Sequence, residues 1–329
     1  MQRSTPIAAL CAAASLACGS PAAQSAQSDP AVGFPNRPIR VIVPFTPGGQ
    51  PDIFSRLISQ KVGESLGQQM IVDNRTGAGG LVGTKTVADS NPDGYTLLSN
   101  SSSHTILPVV RKAAYDVRRD FAGISMIYNA AYLLVVPTTS TPKTVQDLIT
   151  LAKAKPGQLN IASAGLGSGT HFAGEMFKHA AGIDIVHVPY KGIPEATNDL
   201  IAGRVQIFMA PLASATPLVR DGRMRALGVT SLKRAAVFPD IPTVSESGLT
   251  DFRWDSWGAM FVPVKTPRPV VARLNRAVTD ALRLPDVEKA MRALGAEPAP
   301  TTPAELDQFV AHDVGKVQKI AQLAGLKPE

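Results

Sequence analysis

Cysteine is nearly absent from this chain. Its 329 residues include only Cys11 and Cys18, both inside an apolar leader. The leader, MQRSTPIAALCAAASLACGSPAAQSAQ, opens with Arg3, runs through an apolar core from Ile7 to Cys18 and ends in the small residues Ser20, Ala22, Ala23 and Ala26. This pattern predicts an export signal over residues 1–26, cleaved near 22–26, with a core too short to span a bilayer. Lipidation at Cys18 fits poorly, because Ser15 stands where an apolar residue is expected. The mature chain would then hold no cysteine, which excludes disulfides, thiolate metal sites and cysteine nucleophiles. No later run is apolar enough to cross a membrane. The expected compartment is the periplasm.

Other absences narrow the chemistry. Aromatics make up 5% of the chain. The basic clusters Arg111-Lys112, Arg118-Arg119, Arg220 to Arg225 and Lys233-Arg234 are scattered and not interleaved with aromatics, so a nucleic-acid face is not expected. The leader takes one arginine and no acid from 33 basic and 26 acidic residues, leaving a net charge of +6. Such a field favours anionic solutes. No G-x-x-x-x-G-K-[ST] loop, H-E-x-x-H or G-x-S-x-G occurs; Ser168 has Leu166 two residues before it. His171 and Glu175 share the i,i+4 spacing of two metal ligands, but a lone pair is usually a surface contact. No metal and no cofactor are expected.

Strand-like and helix-like segments alternate from residue 38 onward, which predicts a parallel α/β architecture. IRVIVPF, QQMIVDN, YTLLSNS, FAGISMIY, YLLVVP, LNIASAG, IDIVHVPY, VQIFMAP, MRALGVTS and WDSWGAMFVP read as strands. Thr144 with Asp147 marks a helix start, and Gly67 and Gly182 mark helix ends. About 300 residues suit two domains.

Two joins between strand and helix are stripped of side chains. In TPGGQPD, Pro47, Gly48 and Gly49 shape a turn and Asp52 is placed to cap the helix. In NIASAGLGSGTHFAGE, Gly165, Gly167 and Gly169 leave the backbone open beside Ser163, Ser168 and Thr170. The first N–H groups of a helix lack internal partners and carry partial positive charge, so a bare join admits a carboxylate or phosphate. A plain tight turn is the competing reading at each join. In α/β sheets, ligands bind beyond the carboxyl ends of strands. NRTGAGGLVG approximates a dinucleotide fingerprint, but Gly77, Gly79 and Gly83 are spaced one residue too long, and the acid that should follow is missing. HVPYKG ends a strand with Tyr190, able to stack or hydrogen-bond, and Lys191, able to pair with a carboxylate. Trp254 and Trp257 fall in one late strand.

These motifs occur in a specific order. PFTPGGQPD, DNRTGAGG, PDGYTLL, HVPYKG, DLIAGRVQ, FPDIPTVSESG and TPRPVVARLN resemble, in order and spacing, the periplasmic receptors of tripartite tricarboxylate transporters, the TctC-like family also called Bug receptors. The resemblance runs from about Phe34 to about Phe309. It implies a two-lobed flytrap of the periplasmic-binding type (type II), here with lobe 1 at 35–129 plus 253–329 and lobe 2 at 130–252, and chain crossings near Tyr128 and near Trp254 to Phe261. It implies a site bordered by Pro47, Gly48, Gly49 and Asp52 from one lobe and by Ser163, Gly165, Gly167, Ser168, Thr170 and His171 from the other. The segment Asn100 to His104, with Asn100 and Ser101 foremost, and Pro189 to Gly192, with Pro189, Tyr190 and Lys191, would line the cleft. The implied ligand is a small carboxylate held by N–H groups, hydroxyls and ordered water, delivered by a monomeric receptor to transporter membrane subunits in transient contact. Two positions depart from the family pattern. Gln50-Pro51 stands where small or hydroxyl residues are usual, and Met209-Ala210 where many members carry an acid. Two other readings are a receptor that signals to a sensor and an exported serine hydrolase.

Overall fold

A computed structural model describes residues 1–2, 31–323 and 325–326. Residues 3–26 of the expected export signal, with both cysteines, lie outside the described residues. The elements run β1 (Ile39–Val43), α1 (Gln50–Leu66), β2 (Met70–Asn74), α2 (Leu81–Ala88), β3 (Thr96–Ser101), α3 (Ser103–Val110), β4 (Phe121–Pro137), α4 (Val145–Ala154), β5 (Asn160–Ser163), α5 (Gly169–Ala181), β6 (Val186–Pro189), α6 (Ile193–Ile201), β7 (Ile207–Pro211), α7 (Leu212–Arg220), β8 (Met224–Val229), β9 (Asp255–Pro263), α8 (Arg268–Leu282), α9 (Pro285–Ala293), β10 (Ala296–Pro298) and α10 (Pro303–Leu323).

Local chemistry accounts for most of these elements. Phe54, Ile58 and Val62 recur at i,i+4 on α1 and are fully buried, each stabilising the fold by about 1.5–3 kcal/mol. Gly67 ends that helix in the left-handed region at φ 69°, a conformation glycine adopts at no steric cost. Helix α4 starts on a reciprocal capping box: Thr144 Oγ1 accepts the Asp147 N–H at 3.1 Å, and Asp147 Oδ2 accepts the Thr144 N–H at 3.0 Å.

The strands form one sheet in the order β2-β1-β3-β9-β4-β7-β5-β6, with β8 and β10 also paired to β4. The sheet, expected to be parallel, is mixed. The β1–β2, β1–β3, β5–β6 and β5–β7 pairs are parallel. The pairs made by β4, and the β3–β9 pair, are antiparallel. Strand β9 returns from the far half of the sheet directly to lie beside β3, so no βαβ crossover fixes its direction.

FAGISMIY and YLLVVP, read as two strands, are one strand of 17 residues. Phe121 to Ala131 pair with β9, and Tyr132 to Pro137 pair with β7 and β8. The strand is covered on both faces, so no period-2 alternation reveals its continuity. It is shared between two half-sheets, and the handover falls at Ala131 and Tyr132. Thr230 ties that junction. Its Oγ1 accepts the Tyr132 N–H at 2.9 Å and donates to the Trp254 carbonyl at 2.5 Å. Its own N–H donates to the Tyr132 carbonyl, and its carbonyl accepts the Trp254 N–H.

Each half has its own core. Ile39, Phe54, Leu97 and Met260 pack in one, and Ile161, Phe172, Phe177 and Trp254 in another. Helix α10 spans both halves: Leu306, Val310 and Val314 pack beside Trp257, and Val317 and Ala321 with Phe172 and Trp254. Helix α7 and strand β10 were not expected. Pro217 inside α7 disguises its period, and β10 has only three residues.

Candidate functional site

The two bare joins meet. On the first side, Gly48 takes φ +82° and its N–H donates to Asp52 Oδ2 at 2.9 Å. Asp52 also accepts from Arg56 Nε at 3.0 Å and Asn74 Nδ2 at 2.9 Å, and Asn74 Nδ2 donates to the Phe45 carbonyl at 3.0 Å. Burial pushes the Asp52 carboxyl up, but the bonds from Arg56, Gly48 and Asn74 outweigh it and hold the group below the usual carboxylate range. Asp52 therefore braces the loop through its side chain. Asn100 shapes the neighbouring turn: its Oδ1 accepts from the Ser101 N–H and from Ser103 Oγ, both at 2.8 Å.

On the second side, Gly165 and Gly167 take φ +109° and +76°. Ser168 caps α5 by accepting the His171 N–H at 3.2 Å. Thr170 Oγ1 contacts Ser168 Oγ at 2.9 Å and accepts the Ala164 N–H at 2.8 Å. Behind this layer, Ser163 Oγ accepts the Gly165 N–H at 3.1 Å and lies 2.6 Å from His187 Nε2. The His171 and His187 rings pack with centroids 4.2 Å apart. Burial, then His187 and Lys178, pushes His171 down to about 3. Burial, then Lys178, pushes His187 down to about 4. Both rings are neutral at neutral pH. Among the described residues, the N–H groups of Gly169 and Thr170 find no acceptor.

Between the two starts is a cavity of about 30 Å³, room for one or two waters. Gln50 and Ser101 line it from one half, Ser168, Gly169, Thr170 and Ile193 from the other, and Tyr128, Tyr132 and Ser256 from the junction strands. No lysine or arginine is among its lining residues. Polar atoms on or beside it are buried without a completed hydrogen bond: both amide atoms of Gln50, Tyr128 OH and, next to Gly169, Ser102 Oγ. Burial raises the Tyr128 and Tyr132 phenols, so both stay protonated. A wider groove of about 950 Å³ runs along α8, but it is open and belongs to one half alone. The small cavity is the better site, because both halves build it and its unsatisfied groups converge.

The glycines let the halves approach. A Cβ on Gly169 would stand 2.2 Å from the Tyr132 hydroxyl and 2.6 Å from Ser102 Oγ. One on Gly192 would stand 1.8 Å from Thr46 Oγ1, and one on Gly79 2.3 Å from the Leu166 carbonyl. The near-miss dinucleotide motif is thus part of the seam between halves.

Of the residues expected at the site, Ser101, Ser168 and Thr170 line the cavity. Gly49 is buried at its edge, and a Cβ there would meet Ile193 Cδ1 at 3.3 Å; Pro47 and Gly48 are exposed in the same turn. Asp52, Asn100, Ser163, Gly165, Gly167 and His171 form the layer behind. Pro189 and Lys191 are exposed. The Tyr190 hydroxyl donates to Asp199 at 2.8 Å, and Asp199 pairs with Arg204. Sequence reasoning missed Tyr132, Ile193, Pro211 and Ser256, noted Gln50 only as a departure, and placed Tyr128 only at a crossing. The Ser163–His187 contact has the form of a nucleophile and base. However, Ser163 is fully buried, and among the described residues no carboxylate is hydrogen-bonded to His187.

Two α/β halves joined by shared strands, with a polar cavity at the junction, define a two-lobed solute-binding protein. The chain belongs to the tripartite tricarboxylate transporter receptor family, whose sequence model matches residues 54–326. It is 40% identical over 292 residues to the "UPF0065 protein in tcbD-tcbE intergenic region" of Pseudomonas sp. (strain P51), covering 87% of this chain and 86% of that one. Among solved structures it is similar to R. palustris Rpa4515 with adipate, at TM-score 0.88 and 33% identity over 90% of this chain and 100% of that one. It is also similar to MatC from Rhodopseudomonas palustris with bound malate, at TM-score 0.84 and 31% identity over 87% and 99%.

Proposed function

We propose that this protein is a periplasmic receptor that captures a small carboxylate between its lobes and delivers it to the membrane subunits of a tripartite tricarboxylate-type transporter. One observation carries the reading: the starts of α1 and α5 face one cavity, and the N–H groups of Gly169 and Thr170 have no protein acceptor. A carboxylate would supply that acceptor, stabilised by two helix dipoles without a cationic clamp. The relatives with adipate and malate fit this chemistry. Lobe 1 is 35–129 plus 253–329, lobe 2 is 130–252, and the Thr230 junction is the hinge. Ligand shifts the lobes toward the closed arrangement, because only then do both helix starts reach it. The receptor is a monomer without metal, cofactor or nucleic-acid partner. Among the described residues no helix is long and apolar enough to cross a membrane.

Thermal unfolding of ligand-stripped protein against small carboxylates and their amides tests this. Ligand at about a hundred times its Kd should stabilise by roughly 2.7 kcal/mol. Stabilisation by an acid and not by its amide is expected; stabilisation only by neutral solutes would overturn the reading.

A further inference from the structure

Gln50 supplies the carboxamide on the cavity's lining. It is the first residue of α1 and 1% exposed. Neither its Nε2 nor its Oε1 has a hydrogen-bond partner. Exchanging the two atoms leaves the same deficit, one acceptor and one donor group, so the point does not depend on how the amide is oriented. The Tyr128 hydroxyl and Ser102 Oγ, each 1% exposed, are also unpartnered. Against the larger effect of burial, the Gln50 carboxamide and Ser256 both face the Tyr128 hydroxyl at hydrogen-bonding range and lower its pKa, but neither reaches the distance and angle of a completed hydrogen bond.

Resting on the carboxylate reading above, we infer that Gln50 is a specificity-determining residue that selects a ligand bearing, in addition to its carboxylate, a group that both donates and accepts a hydrogen bond, such as a hydroxyl or a primary amide. An alkyl end would leave both atoms of the carboxamide unpaired. A second carboxylate would accept from Nε2 but give nothing to Oε1. It would also bring a charge into a cavity with no lysine or arginine on its lining. A hydroxyl or amide satisfies both atoms at once. A site built around a polar partner rejects the analogue lacking it far more strongly than an apolar pocket rejects an extra group.

The test measures Kd by titration calorimetry for butanoate, 4-hydroxybutanoate, succinamate and succinate, and for the five- and six-carbon sets. It uses the wild type, Gln50→Leu and Gln50→Met, two variants of similar side-chain volume, with their melting temperatures confirming the fold. The wild type should bind the hydroxyl- or amide-ended member of the best-fitting length about tenfold or more tighter than the methyl-ended and dicarboxylate members. In both variants that preference should collapse to about twofold or less while methyl-ended acids bind at least as well as before. Binding of acids without this preference, or a preference that survives both substitutions, overturns the assignment of Gln50 alone. Failure of every acid to bind the wild type overturns the carboxylate reading itself, and this inference with it.

Discussion

The starts of α1 and α5 share one backbone plan and differ in what braces them. Around α1 the brace is charged: Asp52 gathers the Gly48 N–H, Arg56 and Asn74. Around α5 it is neutral: Ser168, Thr170, Ser163 and two imidazoles hold the loop. At α5 the groups offered to a ligand are the N–H groups of Gly169 and Thr170, whereas at α1 the Gly48 N–H is already taken by Asp52 and the Gln50 carboxamide faces the cavity. The difference shows that one recognition geometry can be stiffened by two chemistries, which fail under different conditions. The Asp52 carboxyl is held below its unfolded value. Its contribution is present above about pH 3.9 and is lost as pH falls through the folded pKa. The imidazoles are held below their unfolded value near 6.5, at about 3 and about 4. Between those values the unfolded chain binds more protons, so stability is full above about 6.5 and declines as pH falls below it. On acidification the α5 side weakens first.

The largest contrast lies in the glycines. Gly169→Ala should weaken ligand binding about 10- to 100-fold by overpacking the seam against Tyr132 and Ser102. Gly49→Ala presses on the flexible end of Ile193 at 3.3 Å, with the Thr46 carbonyl at an ordinary contact distance of 3.6 Å, and should cost about threefold or less. Titration of both variants checks this, and equal losses would break the distinction between the two starts. Next, Asp52→Asn should destabilise the fold by about 1.5–3 kcal/mol in urea unfolding, since it removes the charge that holds Arg56 and the Gly48 N–H. His187→Gln keeps a hydrogen-bonding group near Ser163 but cannot titrate. Its unfolding free energy should fall less than that of the wild type between pH 6.5 and 4, by up to about 1.4 kcal/mol per pH unit, read by urea unfolding at each pH. Matching pH profiles would show that the α5 brace is not the acid-sensitive one. The smallest effect is expected at His104, which belongs to neither start. Its ring is fully buried on Phe261 at 4.3 Å, and both nitrogens are unpartnered. His104→Phe should raise stability at pH 7 by about 1 kcal/mol or less and leave affinity unchanged; a loss of affinity would place this ring within the binding machinery.

What could be read from sequence was local. The α4 capping box, the left-handed ends at Gly67 and Gly182, and the hydroxyls at Ser168 and Thr170 each follow from neighbours within a few positions. The junction residues were not readable in this way. Tyr128 and Tyr132 sit in an apolar run whose meaning depends on where β4 passes from one half-sheet to the other, and Thr230 acts through Tyr132 and Trp254, 98 and 24 residues away in the chain. Gly79 looked like a failed nucleotide motif, because its reason for being glycine is the carbonyl of Leu166 across the seam. Met209 and Ala210, the other departure expected from the resemblance, are buried in β7 opposite Leu134 and Leu133. Gln50 stood out as a departure, but its role needed the cavity to be visible.

A crystal structure of the protein with the carboxylate that most stabilises it tests the central claim most directly. The account predicts carboxylate oxygens about 2.7–3.2 Å from the Gly169 or Thr170 N–H groups, directly or through one water, with both helix starts closed on the ligand. A carboxylate paired with a lysine or arginine side chain, or held by one lobe alone away from α5, would contradict it.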